Sequence, residues 1–167
     1  CLSIDTSSPV VMAQAIASGV EIINDVRALS VPGAIEVAVN SNVAICIMHM
    51  MGQPASMQES YHYNNVVSDV ADFLRARITA CERIGDVTQR LLIDPGFGFG
   101  KSVEHNYRLL KFLPSFKKLG FPVLVGISRK SMVGEVVNRP TQDRLAGSVA
   151  ATALAIHNGA SVIRTHD

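Results

Sequence analysis

The sequence predicts a parallel α/β fold, and within that class a TIM (β/α)8 barrel in incomplete form, with about six parallel strands. Three observations carry this reading. Six short apolar runs each finish in a polar cluster. Segments with apolar residues spaced near 3.6 lie between the runs, bounded by capping residues, proline and glycine. The polar endings recur at every run, as in a barrel that gathers its chemistry at the carboxyl ends of its strands. An open doubly wound sheet would concentrate ligand contacts at one switch point. An eight-stranded barrel runs to about 250 residues, so a chain of 167 residues is read as a barrel lacking two units.

The runs occur in the following order. Residues 2–4 lead into Asp5, 22–23 into Asn24 and Asp25, and 43–48 into His49. Residues 91–93 lead into Asp94, 123–127 into Ser128 and Lys130, and 162–163 into Arg164 and His166. Between the first two runs, Ser8 is an N-cap, Pro9 opens the helix and Gly19 closes it. Residues 32–39 form a shorter helix ended by Asn40-Ser41-Asn42. Residues 63–84 carry Val66, Val67, Val70, Phe73, Leu74, Ile78 and Cys81 at helical spacing, and Gly85 ends them. Residues 103–119 repeat the pattern up to Gly120, a helix begins near Ser131, and residues 143–158 read as another up to Gly159. Alternation of strand and helix implies parallel pairing through right-handed crossovers. No linker interrupts the series, so residues 1–167 read as one domain.

Composition narrows the function classes. A 48% hydrophobic content allows a substantial core, and a net charge of +1 gives no basis for holding a nucleic acid through phosphate contacts. Cys1, Cys46 and Cys81 are odd in number, widely spaced and without a CxxC pair, which fits a reducing cytoplasm better than a disulfide framework. No apolar stretch approaches the ~20 residues that span a bilayer, and no basic flank marks a signal peptide. The chain opens without Met on a strand and stops at a polar strand end, so the reading expects a fragment.

The motifs carry the chemistry. Asp94-Pro95-Gly96-Phe97-Gly98-Phe99-Gly100-Lys101-Ser102 is one residue short of a phosphate loop counted from Gly96, and its glycines do not match a dinucleotide fingerprint. It offers instead a backbone free to approach a ligand and two aromatic rings, of which core packing accounts for one more readily than for both. Proline and glycines separate Asp94 from any helix it could cap, which favours a ligand-facing carboxylate. In Gly126-Ile127-Ser128-Arg129-Lys130-Ser131, two cations stand at the amino end of a helix, against its dipole, which points to an anionic or electron-rich ligand. Arg129 reads as a solvated charge and Lys130 as a functional one. Arg164 and His166 are two apart on a strand and share a face, where they make an anion clamp. Asp5 is spare, because Thr6, Ser7 and Ser8 already supply capping oxygens, and Asn24 offers a donor and an acceptor to a heterocycle. Met48 is ambiguous between core and site, and His62, His105 and His157 read as surface or structural. No zinc spacing or Ser/His/Asp arrangement stands out. The set suits a polar ring with an anionic tail.

Ser3-Ile4-Asp5-Thr6-Ser7, Ile22-Ile23-Asn24-Asp25, Met48-His49-Met50, the Asp94 to Lys101 motif, the Gly126 to Ser131 motif and Ile163-Arg164-Thr165-His166-Asp167 together resemble the dihydropteroate synthases of bacterial folate synthesis. The resemblance covers the whole chain, with six motifs in order. It implies a partial pterin-binding TIM-barrel domain over residues 1–167, entered at the third strand and left at the eighth. It also implies a transferase that joins 4-aminobenzoate to 6-hydroxymethyl-7,8-dihydropterin diphosphate, releases diphosphate and is a sulfonamide target.

Carried over by position, the resemblance implies that Asp5, Asn24, Asp94 and Lys130 hold the pterin, with Met48 and Gly126 lining its slot. Arg164 and His166 bind the departing diphosphate, and Arg164 also stacks over the pterin. Phe99, Ser128 and Lys130 border the aminobenzoate place, with Phe97 a weaker candidate. Asp5, Lys130 and Arg164 are the expected catalytic residues. A Mg2+ ion is implied, with its protein ligand in the first two barrel units, which have no counterpart here. No metal ligand is therefore expected within the chain, and the piece alone is expected to be a poor catalyst or none. The full-length protein is expected to be a cytoplasmic homodimer, with no membrane or nucleic-acid partner. Two rivals remain at this point: a corrinoid methyltransferase that takes a methyl from a reduced folate, which would not need the diphosphate contacts, and a non-catalytic homologue, in which they should be degraded.

Overall fold

The computed structural model describes residues 1–52 and 62–167. Among the described residues six strands alternate with helices: β1 (Ser3–Asp5), α1 (Pro9–Ala17), β2 (Ile22–Asp25), α2 (Ala34–Val39), β3 (Ala44–Met48) and α3 (Val66–Glu82) come first. β4 (Leu91–Asp94), α4 (Val103–Lys111), β5 (Leu124–Val125), α5 (Ser131–Val137), α6 (Leu145–His157) and β6 (Val162–Ile163) complete the series. β1 to β4 form one sheet in sequence order and β5 pairs with β6 in another, every pairing parallel. A parallel bridge from Ile93 to Val123 joins the two, supported by the Ile93 N–H donating to Pro122 O at 3.0 Å.

Register and pleat together sort the side chains. Asp5 stands opposite Asn24, Asn24 opposite Cys46, and Cys46 opposite Leu92, while Met48 stands opposite Asp94. Because successive residues point to opposite faces, these residues share one side of the sheet. Ile4, Ile23, Ile45, Ile47, Leu91 and Ile93 share the other. That second face packs under the helices in a core completed by Val70, Leu74, Leu109, Phe116 and others. α3 shows how the sequence does this: Val66, Val70, Leu74, Ile78 and Cys81 are its buried residues, one stripe at helical spacing.

Helix boundaries differ from the sequence reading where local chemistry intervenes. The expected helix over residues 103–119 stops at Lys111, and Leu113–Leu119 continues as a 3-10 segment. Pro114 explains the change, since it lacks an N–H and clashes with the preceding turn of an α-helix. A second 3-10 turn at Thr141–Asp143 precedes α6, so that helix begins at Leu145 rather than 143. Asn65, not residue 63, opens α3, its side chain accepting from Val67 N and Ser68 N. Among the described residues no helix is long and apolar enough to cross a membrane.

Long-range polar ties fasten the layers. Arg90, just before β4, donates to the carbonyls of Ala38, Val39 and Val43, joining the end of α2 to the start of β3. Arg77 of α3 reaches the carbonyls of Ala28 and Leu29 at 2.7 and 2.9 Å. Both of those residues have left-handed backbones, φ 51° and 60°, a conformation that costs non-glycine residues roughly 1–3 kcal/mol each and persists only where surroundings hold it. Asp25 supplies the other hold, its carboxylate accepting from Arg27 N and Leu29 N.

Ile93 is fully buried at the junction of the two sheets. Ile93→Ala is expected to cost about 2–5 kcal/mol in equilibrium urea unfolding, the range for truncating a buried aliphatic side chain. A cost below about 1 kcal/mol would mean that the junction does not bind the sheets together.

Candidate active site

The carboxyl ends of the strands bring three of the sequence-selected residues, Asp5, Asn24 and Arg164, to one cavity. Asp5 ends β1 and Asn24 lies beside it on β2, with the amide Nδ2 donating to Asp5 Oδ2 at 3.1 Å. Cys46 follows in the same row on β3. A cavity of about 280 Å3 is lined by Asp5, Asn24, Cys46 and Arg164, with Ile22 and Leu124 among the apolar residues below them. The Cys46 thiol is buried and held well above its ordinary pKa, first by that burial and then by Asp94 and Asp5. It is a neutral wall of the cavity rather than a nucleophile.

Asp94 ends β4 and is buried. Its carboxylate accepts from the Gly96 N–H at 2.7 Å. Burial pushes the Asp94 carboxyl up, opposed in decreasing order by Lys130, the Gly96 N–H, Lys101 and Arg164. The chain after Asp94 turns back on the end of β3: a Cβ on Gly96, whose φ is +72°, would collide with the His49 carbonyl oxygen. Only glycine meets both the left-handed backbone and that close approach.

Lys130 precedes α5 and reaches across to this loop. Its ammonium donates to the Phe97 carbonyl and lies 4.7 Å from the centre of the Phe99 ring, a cation–π contact. Burial lowers its pKa to about 8, against the opposing pull of Asp94. The two rings of the loop therefore part company. Phe97, expected as a weaker candidate for the site's border, has its ring fully buried in the core, and only its backbone oxygen faces Lys130. Phe99 is partly exposed and presents its ring to the cation.

On the opposite rim, Gly126 packs beside Arg164, where an added Cβ would lie 3.6 Å from the Arg164 Cβ. Arg164 and His166 are both exposed, two residues apart, past the end of β6. The buried Ser128 hydroxyl accepts from the His166 N–H at 3.3 Å, so Ser128 anchors the tail that carries this pair. Arg129 is not the solvated charge that the sequence indicated. Its guanidinium forms a two-pronged ion pair with Asp167 and reaches the carbonyls of Thr141 and Gln142. Its left-handed backbone, φ 58°, is held by its own N–H donating to Ser148 Oγ and by Arg144 bonding its carbonyl.

Met48 is buried opposite Asp94 in register, on the cavity side of β3. Asp25, paired in the sequence with Asn24, lies on the other face and is fully buried. It takes the Ser7 hydroxyl and two backbone N–H groups, which is a structural duty. Ser8 caps α1 and Thr6 Oγ1 accepts from Ser8 N, which leaves the Asp5 carboxylate to the cavity. His105 completes the capping box of α4 with Ser102.

Lys101 and His49 are among the buried polar groups to which the sequence reading gave no role. The Lys101 ammonium lies 3.0 Å from His49 Nδ1 and donates to the Gly96 and Phe99 carbonyls at 2.7 and 3.0 Å. Burial lowers Lys101 to about 7, Asp94 opposing. Burial, and then Lys101, lower His49 to about 3, so its ring is neutral and Nδ1 serves as the acceptor. A lysine directly after the last glycine of the loop, Gly100, looks like a surface charge in sequence, and nothing there reveals the fold-back that buries it.

Among the described residues no group of three His, Cys, Asp or Glu side chains is placed to hold a metal ion. A carboxylate, an amide and a guanidinium, from Asp5, Asn24 and Arg164, line one cavity, a set suited to a polar ligand that carries negative charge.

The sequence profile of the pterin binding enzyme family matches residues 1–166. The dihydropteroate synthase of Haemophilus influenzae is 48% identical over 166 residues, which covers 99% of this chain and 60% of that protein. The Yersinia pestis dihydropteroate synthase, solved in complex with a sulfonamide drug, is similar with a TM-score of 0.96 at 45% identity, over 99% of this chain and 61% of that one. The Xanthomonas albilineans dihydropteroate synthase, solved in complex with 7,8-dihydropteroate, gives 0.91 at 48% identity, over 99% and 61% respectively. The chain thus spans about three-fifths of the length of these relatives.

The neutral His49 makes stability depend on pH. Its folded pKa of about 3 lies below the ordinary 6.5, so the unfolded chain binds the extra proton between those values and stability is lost as pH falls through that window. Between pH 7 and pH 5 the protein is expected to lose about 2 kcal/mol more than a His49→Asn variant, which keeps an acceptor near Nδ1 but does not titrate. Equal pH slopes in urea unfolding would contradict a buried, neutral imidazole.

Proposed function

Because the chain belongs to the pterin binding enzyme family, we propose that the protein is a dihydropteroate synthase, transferring the pterin-methyl group of 6-hydroxymethyl-7,8-dihydropterin diphosphate to 4-aminobenzoate. The observation that carries the reading is a cavity lined by the Asp5–Asn24 pair and Arg164, with Asp94 and Lys130 close enough to Arg164 to feel its charge. The relatives support it: the Xanthomonas protein was solved with 7,8-dihydropteroate and the Yersinia protein with a sulfonamide. The fold is proposed as six strands of an eight-stranded barrel, with β1 to β6 as its third to eighth strands.

In this reading Asp94 and Asn24 accept from and donate to the pterin's polar edge, while Met48 and Gly126 leave a flat slot. Asp5, beside the ring, faces the positive charge that spreads into the pterin as the methylene C–O bond breaks. Arg164 and His166 take the charge that leaves with diphosphate, and Arg164, next to Gly126, covers the ring. Stabilising opposite charges at both ends of a separating bond favours the transition state over the ground state. The arylamine nitrogen then forms the new C–N bond and loses one proton. Phe99, Ser128 and Lys130 border the arylamine place. The Phe97 side chain has no place there, since its ring lies in the core. A Mg2+ ion with its protein ligand outside residues 1–167 remains part of the proposal, and no step above is routed through it. The Arg/His rim favours this activity over methyl transfer to a corrinoid, which has no diphosphate to hold.

Two measurements on the full-length protein test the reading. In calorimetry, a sulfonamide is expected to bind only after pterin diphosphate and Mg2+ have been added, and binding without the first ligand would contradict an ordered site. Asp5→Asn is expected to lower kcat by about 10²–10³-fold, as removal of a preorganised charge does. Unaltered turnover would remove Asp5 from the mechanism.

A further inference from the structure

Lys101 ends the glycine-rich motif, yet the proposed reaction gives it no part. Its side chain is 4% exposed, and among the described residues no salt bridge includes it. An ammonium taken out of water costs several kcal/mol unless its donors are fully used. Here all of them are. Nζ donates to Gly96 O at 2.7 Å and Phe99 O at 3.0 Å, lies 3.0 Å from His49 Nδ1, and stands 3.4 Å from His49 O. These partners belong to two segments: the loop between β4 and α4, and the residue following β3. His49 is itself seated edge-on against Phe73, with ring centres 4.9 Å apart, so the anchor on the β3 side is braced by an aromatic contact.

The geometry points to Lys101 as a positioning residue for the arylamine half of the proposed site, acting through Lys130. The loop that it clamps presents three groups to the site: the Gly96 N–H on Asp94, the Phe97 carbonyl on Lys130, and the Phe99 ring against the same ammonium. Lys101 holds the carbonyls of Gly96 and Phe99, on either side of Phe97, so its loss frees the segment that aims Lys130. A second tether, Tyr63 OH donating to Gly100 O at 2.9 Å, keeps the end of the loop in place. Asp5 and Asn24, on β1 and β2, touch none of this. Of the proposed pterin contacts Asp94 and Lys130 lean on this loop, whereas Asp5, Asn24 and Arg164 line the cavity without it, so the loss of Lys101 weighs more on the arylamine than on the pterin.

This inference rests on the synthase reading, and the experiment separates the two. Steady-state kinetics with both substrates and pterin diphosphate titrations are run on the full-length wild type and on Lys101→Met. The variant is expected to raise KM for 4-aminobenzoate by about tenfold, the loss of roughly one charge-assisted hydrogen bond of positioning, while the Kd for pterin diphosphate changes less than about threefold. Lys101→Gln keeps two N–H donors on a shorter stem and is expected to fall between wild type and Lys101→Met. A residue needed only for folding would lower stability and active fraction without splitting the two substrates. Equal KM values, a parallel loss of both affinities, or failure of both variants to fold would overturn the inference. A wild type that forms no dihydropteroate would overturn the synthase reading itself, and this inference with it.

Discussion

Parallel, in-register pairing is the constraint on which the rest of the molecule depends. Slipping β2 by one residue against β1 would turn Asn24 to the helix side and carry Asp25 to the cavity side, since the pleat alternates residue by residue. The register is held from the other face, where Ile23, Ile45, Ile47 and Ile93 are all fully buried. The cost of exposing that row, at about 25 cal/mol per Å2 of apolar surface, exceeds anything a polar contact in the cavity returns. The site is therefore placed by hydrophobic burial on the face that does no chemistry.

Electrostatics on the cavity side is arranged around shortage of water rather than around ion pairs. Asp94 and Lys130 influence one another strongly, yet each is bonded to backbone: Asp94 to the Gly96 N–H, Lys130 to the Phe97 carbonyl. Lys101 repeats the pattern, with two loop carbonyls and a neutral imidazole as partners. A charge held by fixed backbone dipoles is pre-oriented and needs no reorganisation when a ligand arrives. The rim differs: Arg164 and His166 are exposed, where a leaving anion and its solvent can be exchanged.

The six strands, their order and their polar ends were legible in the sequence because short apolar runs with a polar stop are a local pattern. The helices were legible to within a turn or two, except where Pro114 converts one into a 3-10 segment. Asp5, Asn24 and Arg164, singled out because they stand at or just past strand ends, line one cavity for the same reason. What could not be read is whatever depends on the loop after β4 folding back. That fold-back buries Phe97 while leaving Phe99 in reach of Lys130, and it hides Lys101 against His49. Arg129 was misjudged for a related reason, because its partner Asp167 lies 38 residues away, past the end of β6.

Asn24 and Asp25 show why neighbouring polar residues in one motif need not share a task. The pleat sends Asn24 to Asp5 and the cavity, and Asp25 to the opposite side, under the loop that follows β2. There its two oxygens stabilise a turn in which Ala28 and Leu29 both adopt left-handed backbones, with Arg77 of α3 closing the turn from outside. The Ser7 hydroxyl on the same carboxylate ties that turn to the segment after β1. Asp25 thereby couples the two loops flanking the Asp5–Asn24 pair without touching the cavity. A polar pair at a strand end is best read as one residue for the site and one for the frame that holds it, and the register decides which is which.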